Sequence, residues 1–105
     1  MRKAIVGSAV CLALTAVAAQ AQPASVAEGY RLSSDLCVRC HVITAERQGS
    51  WTDAPPFESI ANRAGMTRNW LVEFIPKPHG HMLTRDYTAA QVTSIANYIM
   101  SLRRQ

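Results

Sequence analysis

Two cysteines and a histidine stand together at Cys37-Val38-Arg39-Cys40-His41, and no other residues of this chain are better arranged to do chemistry. Two thiols a helical turn apart can each add to one vinyl group of a haem, with the imidazole of the next residue then facing the iron. C-x-x-C-H is the pattern by which c-type haem is attached, and neutral imidazole is an ordinary axial ligand of haem iron. Other chemistries use the same residue types. A thioredoxin-like redox pair wants a βαβ pattern around its cysteines, and none is visible. A zinc site can be drawn from Cys37, Cys40, His79 and His81, although this H-x-H, so far from the cysteines, departs from the usual finger spacing. A disulfide between Cys37 and Cys40 would close a tiny loop, restrain little of the unfolded chain and leave His41 without a task.

The start of the chain bears on that choice. Arg2 and Lys3 precede an uncharged run rich in Ala, Val and Leu from Ala4 to Ala19, and Ala19-Gln20-Ala21 puts small residues where a signal peptidase reads them. Residues 1–21 are therefore expected to be a signal peptide cleaved after Ala21, leaving one domain over residues 22–105 in an exported, periplasmic protein. The apolar run is shorter than the ~20 residues that span a bilayer, so no stable membrane insertion is expected after cleavage. Cys11 follows Val10 rather than a small residue and lies too early in the run for a lipoprotein signal, so it leaves with the leader.

Charge and size narrow the class further. Arg2 and Lys3 contribute half of the formal charge of +4, so the basicity of the whole chain is no argument for nucleic acid. What remains is close to the size below which an apolar core needs a disulfide, metal or cofactor to help it. Only Cys37 and Cys40 are left to hold one, and covalent haem attachment takes place in the compartment to which the leader sends the chain.

The elements that must position these residues read as helices. Val26, Gly29, Tyr30, Leu32 and Ser33 recur at helical spacing between Ser25 and Leu36, with Ser25 and Glu28 as a capping box. Residues 42–56 carry loop chemistry. Phe57 to Arg63 form a short helix, and Thr67 caps another through Ile75, on which Trp70, Leu71 and Phe74 share a face. Pro76 and Pro78 stop it. Thr88, with Gln91 three positions on, opens a last helix whose stripe is Val92, Ile95, Ala96, Ile99 and Leu102, and Arg103 and Arg104 suit its negative end. The expectation is an all-α domain with long loops that wrap a ligand.

In the order and spacing of five segments the sequence resembles the small class I c-type cytochromes of bacterial periplasms. The segments are Glu28-Gly29-Tyr30-Arg31-Leu32, the C-x-x-C-H, Ala54-Pro55-Pro56-Phe57, Pro78-His79-Gly80-His81-Met82, and Ile95-Ala96-Asn97-Tyr98-Ile99-Met100-Ser101-Leu102. The resemblance implies the class I cytochrome c fold, with first and last helices crossing where Gly29 meets Tyr98. It implies one covalent haem c on Cys37 and Cys40, with His41 as proximal iron ligand and Met82 as distal ligand. His81 and His79 are the rivals for that position, since Leu83 stands where many relatives have Pro. Pro55 would accept the Nδ1 proton of His41, with Pro56 the competing position. Trp70 and Phe74 would form haem wall, and Trp51 and Arg47 are candidates to meet a propionate.

A haem held by His and Met has no open position for substrate, so the implied function is one-electron transfer between redox proteins of the periplasm or inner membrane, not catalysis. The alternatives are a dedicated cytochrome subunit of a periplasmic dehydrogenase, or a haem-based sensor that binds a ligand at the iron.

Overall fold

Ser25 starts the first helix: its backbone is extended, and its hydroxyl accepts the N–H of Glu28 at 3.0 Å. The computed structural model describes residues 24–45, 52–80 and 85–105; the expected leader, Arg47, Trp51, His81 and Met82 lie outside the described residues. Four helices follow in order, α1 Val26–Leu36, α2 Phe57–Ala61, α3 Arg68–Phe74 and α4 Ala89–Ser101. Among the described residues there is no strand, as expected of an all-α chain.

Local chemistry sets the ends of these helices. Thr67 and Thr88 cap α3 and α4 through their hydroxyls, and Gln91 returns its side chain to the N–H of Thr88 at 2.9 Å to complete a capping box. The box expected at α1 forms only by half. Glu28 turns its carboxylate to Arg31 at 2.7 Å, which holds its pKa below the ordinary value. The N–H of Ser25 instead donates to Ser94 Oγ of α4 at 3.1 Å, so the start of α1 is tied to the last helix. Arg103 and Arg104 lie past the end of α4, and Arg104 reaches Glu58 at 3.4 Å. That pair is exposed, where such contacts are worth little.

The core is where α1, α2 and α3 all meet α4. Leu32, Phe57, Ala61, Leu71, Ile95, Ala96 and Ile99 are buried there, with Ile43 and Met66 from the connections. On α1 only Gly29, Leu32 and Ser33 are buried, while Val26 and Tyr30 stay about half exposed. Gly29 is the crossing point: a Cβ there would press on the carbonyl of Ser94 and lie 2.7 Å from the Cβ of Tyr98.

Tyr98 also does what its apolar surroundings would otherwise penalise. Its buried hydroxyl donates to the carbonyl of Ile43 at 2.6 Å, and its ring meets Tyr30 edge-on at 5.4 Å. Tyr98→Phe should cost about 1–3 kcal/mol, the penalty of leaving a buried carbonyl unpaired, measured by denaturant unfolding. Burial, and then Tyr30, raises the Tyr98 pKa above 10.0. Below pH about 10 both folded and unfolded phenols are protonated and pH has no effect. Above it the unfolded state releases its proton first, so this residue's stability contribution is lost as pH rises toward the folded value. The wild-type advantage over Tyr98→Phe should therefore shrink above pH 10.

Candidate functional site

The C-terminal turn of α1 runs directly into the two cysteines. The N–H groups of Cys37 and Val38 both bond to Ser33 O, and those of Cys40 and His41 both return to Cys37 O at 3.1 and 2.9 Å. Two consecutive turns thus bring Cys37, Cys40 and His41 together without any regular element of their own. Cys37 and Cys40 are not joined by a disulfide.

A second segment is laid against this turn by three hydrogen bonds. Thr52 Oγ1 donates to Cys40 O at 2.6 Å, His41 Nδ1 meets Pro55 O at 2.7 Å, and Phe57 N donates to Val42 O at 2.9 Å. The middle bond selects the tautomer of His41. A proline carbonyl can only accept, so Nδ1 carries a proton, and in the neutral ring Nε2 then keeps the lone pair that a metal would use. The ring is further held at 5.3 Å from that of Phe57. Pro56 has no part in this contact; it caps the start of α2.

His41 and Cys37 border an open, mostly apolar cleft. Its floor includes the buried Leu71, Ile95 and Ile99, and Trp70 and Phe74 of α3 stack on one another at 4.6 Å along its border. Trp70 keeps 42 % of its surface exposed, so it belongs to the cleft rather than to the core. Leu71, from the same helix, is buried. Burial pushes the Cys37 thiol up to about 11, with the neighbouring Ser33 hydroxyl pulling against it and Cys40 adding to it. The thiol is therefore protonated at neutral pH in this fold. Burial, then the neighbouring Cys37, likewise raises Tyr87, which also borders the cleft.

These features test what the cleft can hold. Among the described residues no group of three or more His, Cys, Asp or Glu is arranged to bind an ion directly; the zinc set drawn from the sequence includes His81, which lies outside them. A flat apolar group that brings its own metal and is anchored by thiols at one rim fits the residues present: an apolar cleft, Cys37 on its border, Cys40 one turn on, and an imidazole nitrogen free to ligate. Met82 and His81 lie outside the described residues. His79 borders the same cleft as His41. Sequence reasoning did not single out Thr52, Arg63 or Tyr87; Arg63 is the described cation on the cleft's border.

Comparison with known proteins agrees with the chemistry of the site. No family model matches the chain, and no solved structure matches it significantly. Cytochrome c-552 of Bradyrhizobium diazoefficiens is 30 % identical to it over 97 residues, which cover 92 % of this chain and 93 % of that protein. With that relationship spanning nearly the whole of both chains, this protein belongs to the small c-type cytochromes, which carry a covalently bound haem c and its iron.

Proposed function

We propose that the protein is a periplasmic one-electron carrier with the class I cytochrome c fold, its haem joined to Cys37 and Cys40, ligated by His41 on one side and by Met82 on the other. The observation that carries this reading is the 2.7 Å contact from His41 Nδ1 to Pro55 O, which leaves Nε2 as the metal-binding nitrogen of a residue bordering an apolar cleft. Haem iron with two protein ligands supplies a ferric/ferrous couple and no open position for substrate.

The chain's own residues do the rest. Pro55 fixes the tautomer of His41 and strengthens it as a ligand. Leu71, Ile95 and Ile99 keep water from the floor of the cleft, while Trp70 and Phe74 flank it. Arg63, at the border, is placed to meet a propionate. The Met82 thioether favours the reduced state and raises the potential. Redox proteins of the periplasm or inner membrane would give and take the electron.

The test is the spectrum of protein matured by a haem-attachment system. The wild type should show the absorption bands of thioether-bonded haem together with the weak far-red ferric band of an iron–thioether bond, and Met82→Ala should abolish the far-red band. Persistence of that band in the variant would reject Met82. Mass spectrometry of the exported protein should find Gln22 as its first residue, which checks the leader.

A further inference from the structure

His79 has the same local chemistry as His41, in a place where the proposed electron carrier does not use it. Its Nδ1 meets the carbonyl of Lys77 at 2.9 Å. That carbonyl can only accept, so His79 too holds a proton on Nδ1, and in the neutral ring Nε2 is then the nitrogen with the lone pair. Both rings border one cleft, and their centroids are 6.3 Å apart. Metal–imidazole bonds of about 2.0–2.1 Å on each side of a metal would place two ring centroids roughly 6 Å apart, close to the separation already present.

The ring is also held in place. It packs on Phe74 of α3 at 4.8 Å, and the N–H of Lys77 returns to Phe74 O at 2.9 Å, so the segment carrying His79 continues from the end of α3. Pro78 restricts the backbone before the ring. Gly80, with φ at +59°, supplies the left-handed turn after it. A solvated loop histidine would need none of these contacts.

We propose that His79 is a reserve iron ligand, which takes the coordination position whenever the thioether of Met82 is not on the iron. This rests on the haem reading above. Because thioether ligation raises the potential and imidazole does not, the exchange converts the carrier to a lower-potential form and so takes it out of exchange with its ordinary partners. No electron is transferred in the step: one donor lone pair leaves the metal and another replaces it.

The experiment uses the haem-loaded protein and the ferric spin state, read by electron paramagnetic resonance. Met82→Ala is expected to remain low-spin with the signature of two imidazoles, and Met82→Ala/His79→Ala to lose it and become high-spin. Met82→Ala/His81→Ala should behave as the single variant does. If Met82→Ala does not mature, Met82→Leu keeps the side-chain bulk and gives the same readout. A single variant that is already high-spin overturns the proposal, as does a low-spin signal that survives loss of His79 or disappears with His81. Those results leave the haem reading standing, whereas a chain that matures without haem removes both. Two-imidazole ligation by His79 in the wild type would overturn the proposal too, since His79 would then be the ordinary ligand and not a reserve.

Discussion

Gly29→Ala should destabilise the haem-loaded protein by about 3 kcal/mol or more, at the upper end of what overpacking costs, and lower its melting temperature by roughly 10–20 °C for a domain of this size. The sign runs against helix propensity, since alanine inside an ordinary helix is favoured over glycine by about 1 kcal/mol. The reason lies in what the added methyl meets. Its neighbours are the main-chain carbonyl of Ser94 and the Cβ of Tyr98, neither of which can rotate away, so α1 and α4 would have to separate. Separation would loosen the Ser25–Ser94 bond and the edge-on contact of Tyr30 with Tyr98 as well. A thermal melt followed at the haem absorption checks this, and an unchanged or raised melting temperature would show that the crossing is looser than described.

His41→Gly should have the second large effect, on the metal rather than on the fold. On the proposed ligation the iron then loses its proximal ligand, and the surviving haem protein should be high-spin with a sharply reduced yield of matured chain. Free imidazole added to it should restore the low-spin spectrum, because the Pro55 carbonyl that orients the native ring is still there to orient a free one. The conservative counterpart is a change that weakens only the second layer around a metal ligand, which typically costs 10–100-fold in metal affinity or activity. Failure of imidazole to restore the spectrum while the fold persists would count against His41 as the proximal ligand.

The parts of this protein that could be read from its sequence are those decided within a turn or two of chain. Ser25, Thr67 and Thr88 each cap the helix they were expected to cap, because a hydroxyl three residues before an N–H needs no tertiary help. The meeting of Gly29 with Tyr98 was legible only through family resemblance, since nothing local says which helix a glycine approaches. The contacts that escaped are long-range bonds from side chains to distant backbone. Tyr98 to Ile43 spans 55 residues, and Asn62 both bonds Glu58 O at 2.7 Å and reaches Leu102 O at 3.3 Å. α2 stops at Ala61 rather than at Arg63 because the chain tightens there: Asn62 is the C-cap, and the N–H of Arg63 turns to Ile60 O, three residues back, instead of continuing the α-helical ladder. Glu28 shows the reverse failure, a correct motif overridden when Arg31 offered its carboxylate a charged partner. For the cleft, the cysteines, His41 and Pro55 were named from the sequence, and Arg63 and Tyr87 were not, because neither lies in a motif.

The pairing of α1 with α4 also has a kinetic meaning. The two helices that share the deepest contact stand at opposite ends of the folded chain, so this contact closes a loop containing nearly everything else, and such distant pairings are slow to form. A chain that emerges from its N-terminal end, through a ribosome or a membrane pore, presents Cys37, Cys40 and His41 long before residues 89–101 arrive to close over them. During that interval the thiol that burial later pushes up to about 11 has no α4 beside it. On the proposed attachment at Cys37 and Cys40, the order in which the chain becomes available would give an attachment machinery its opportunity before the last helix packs.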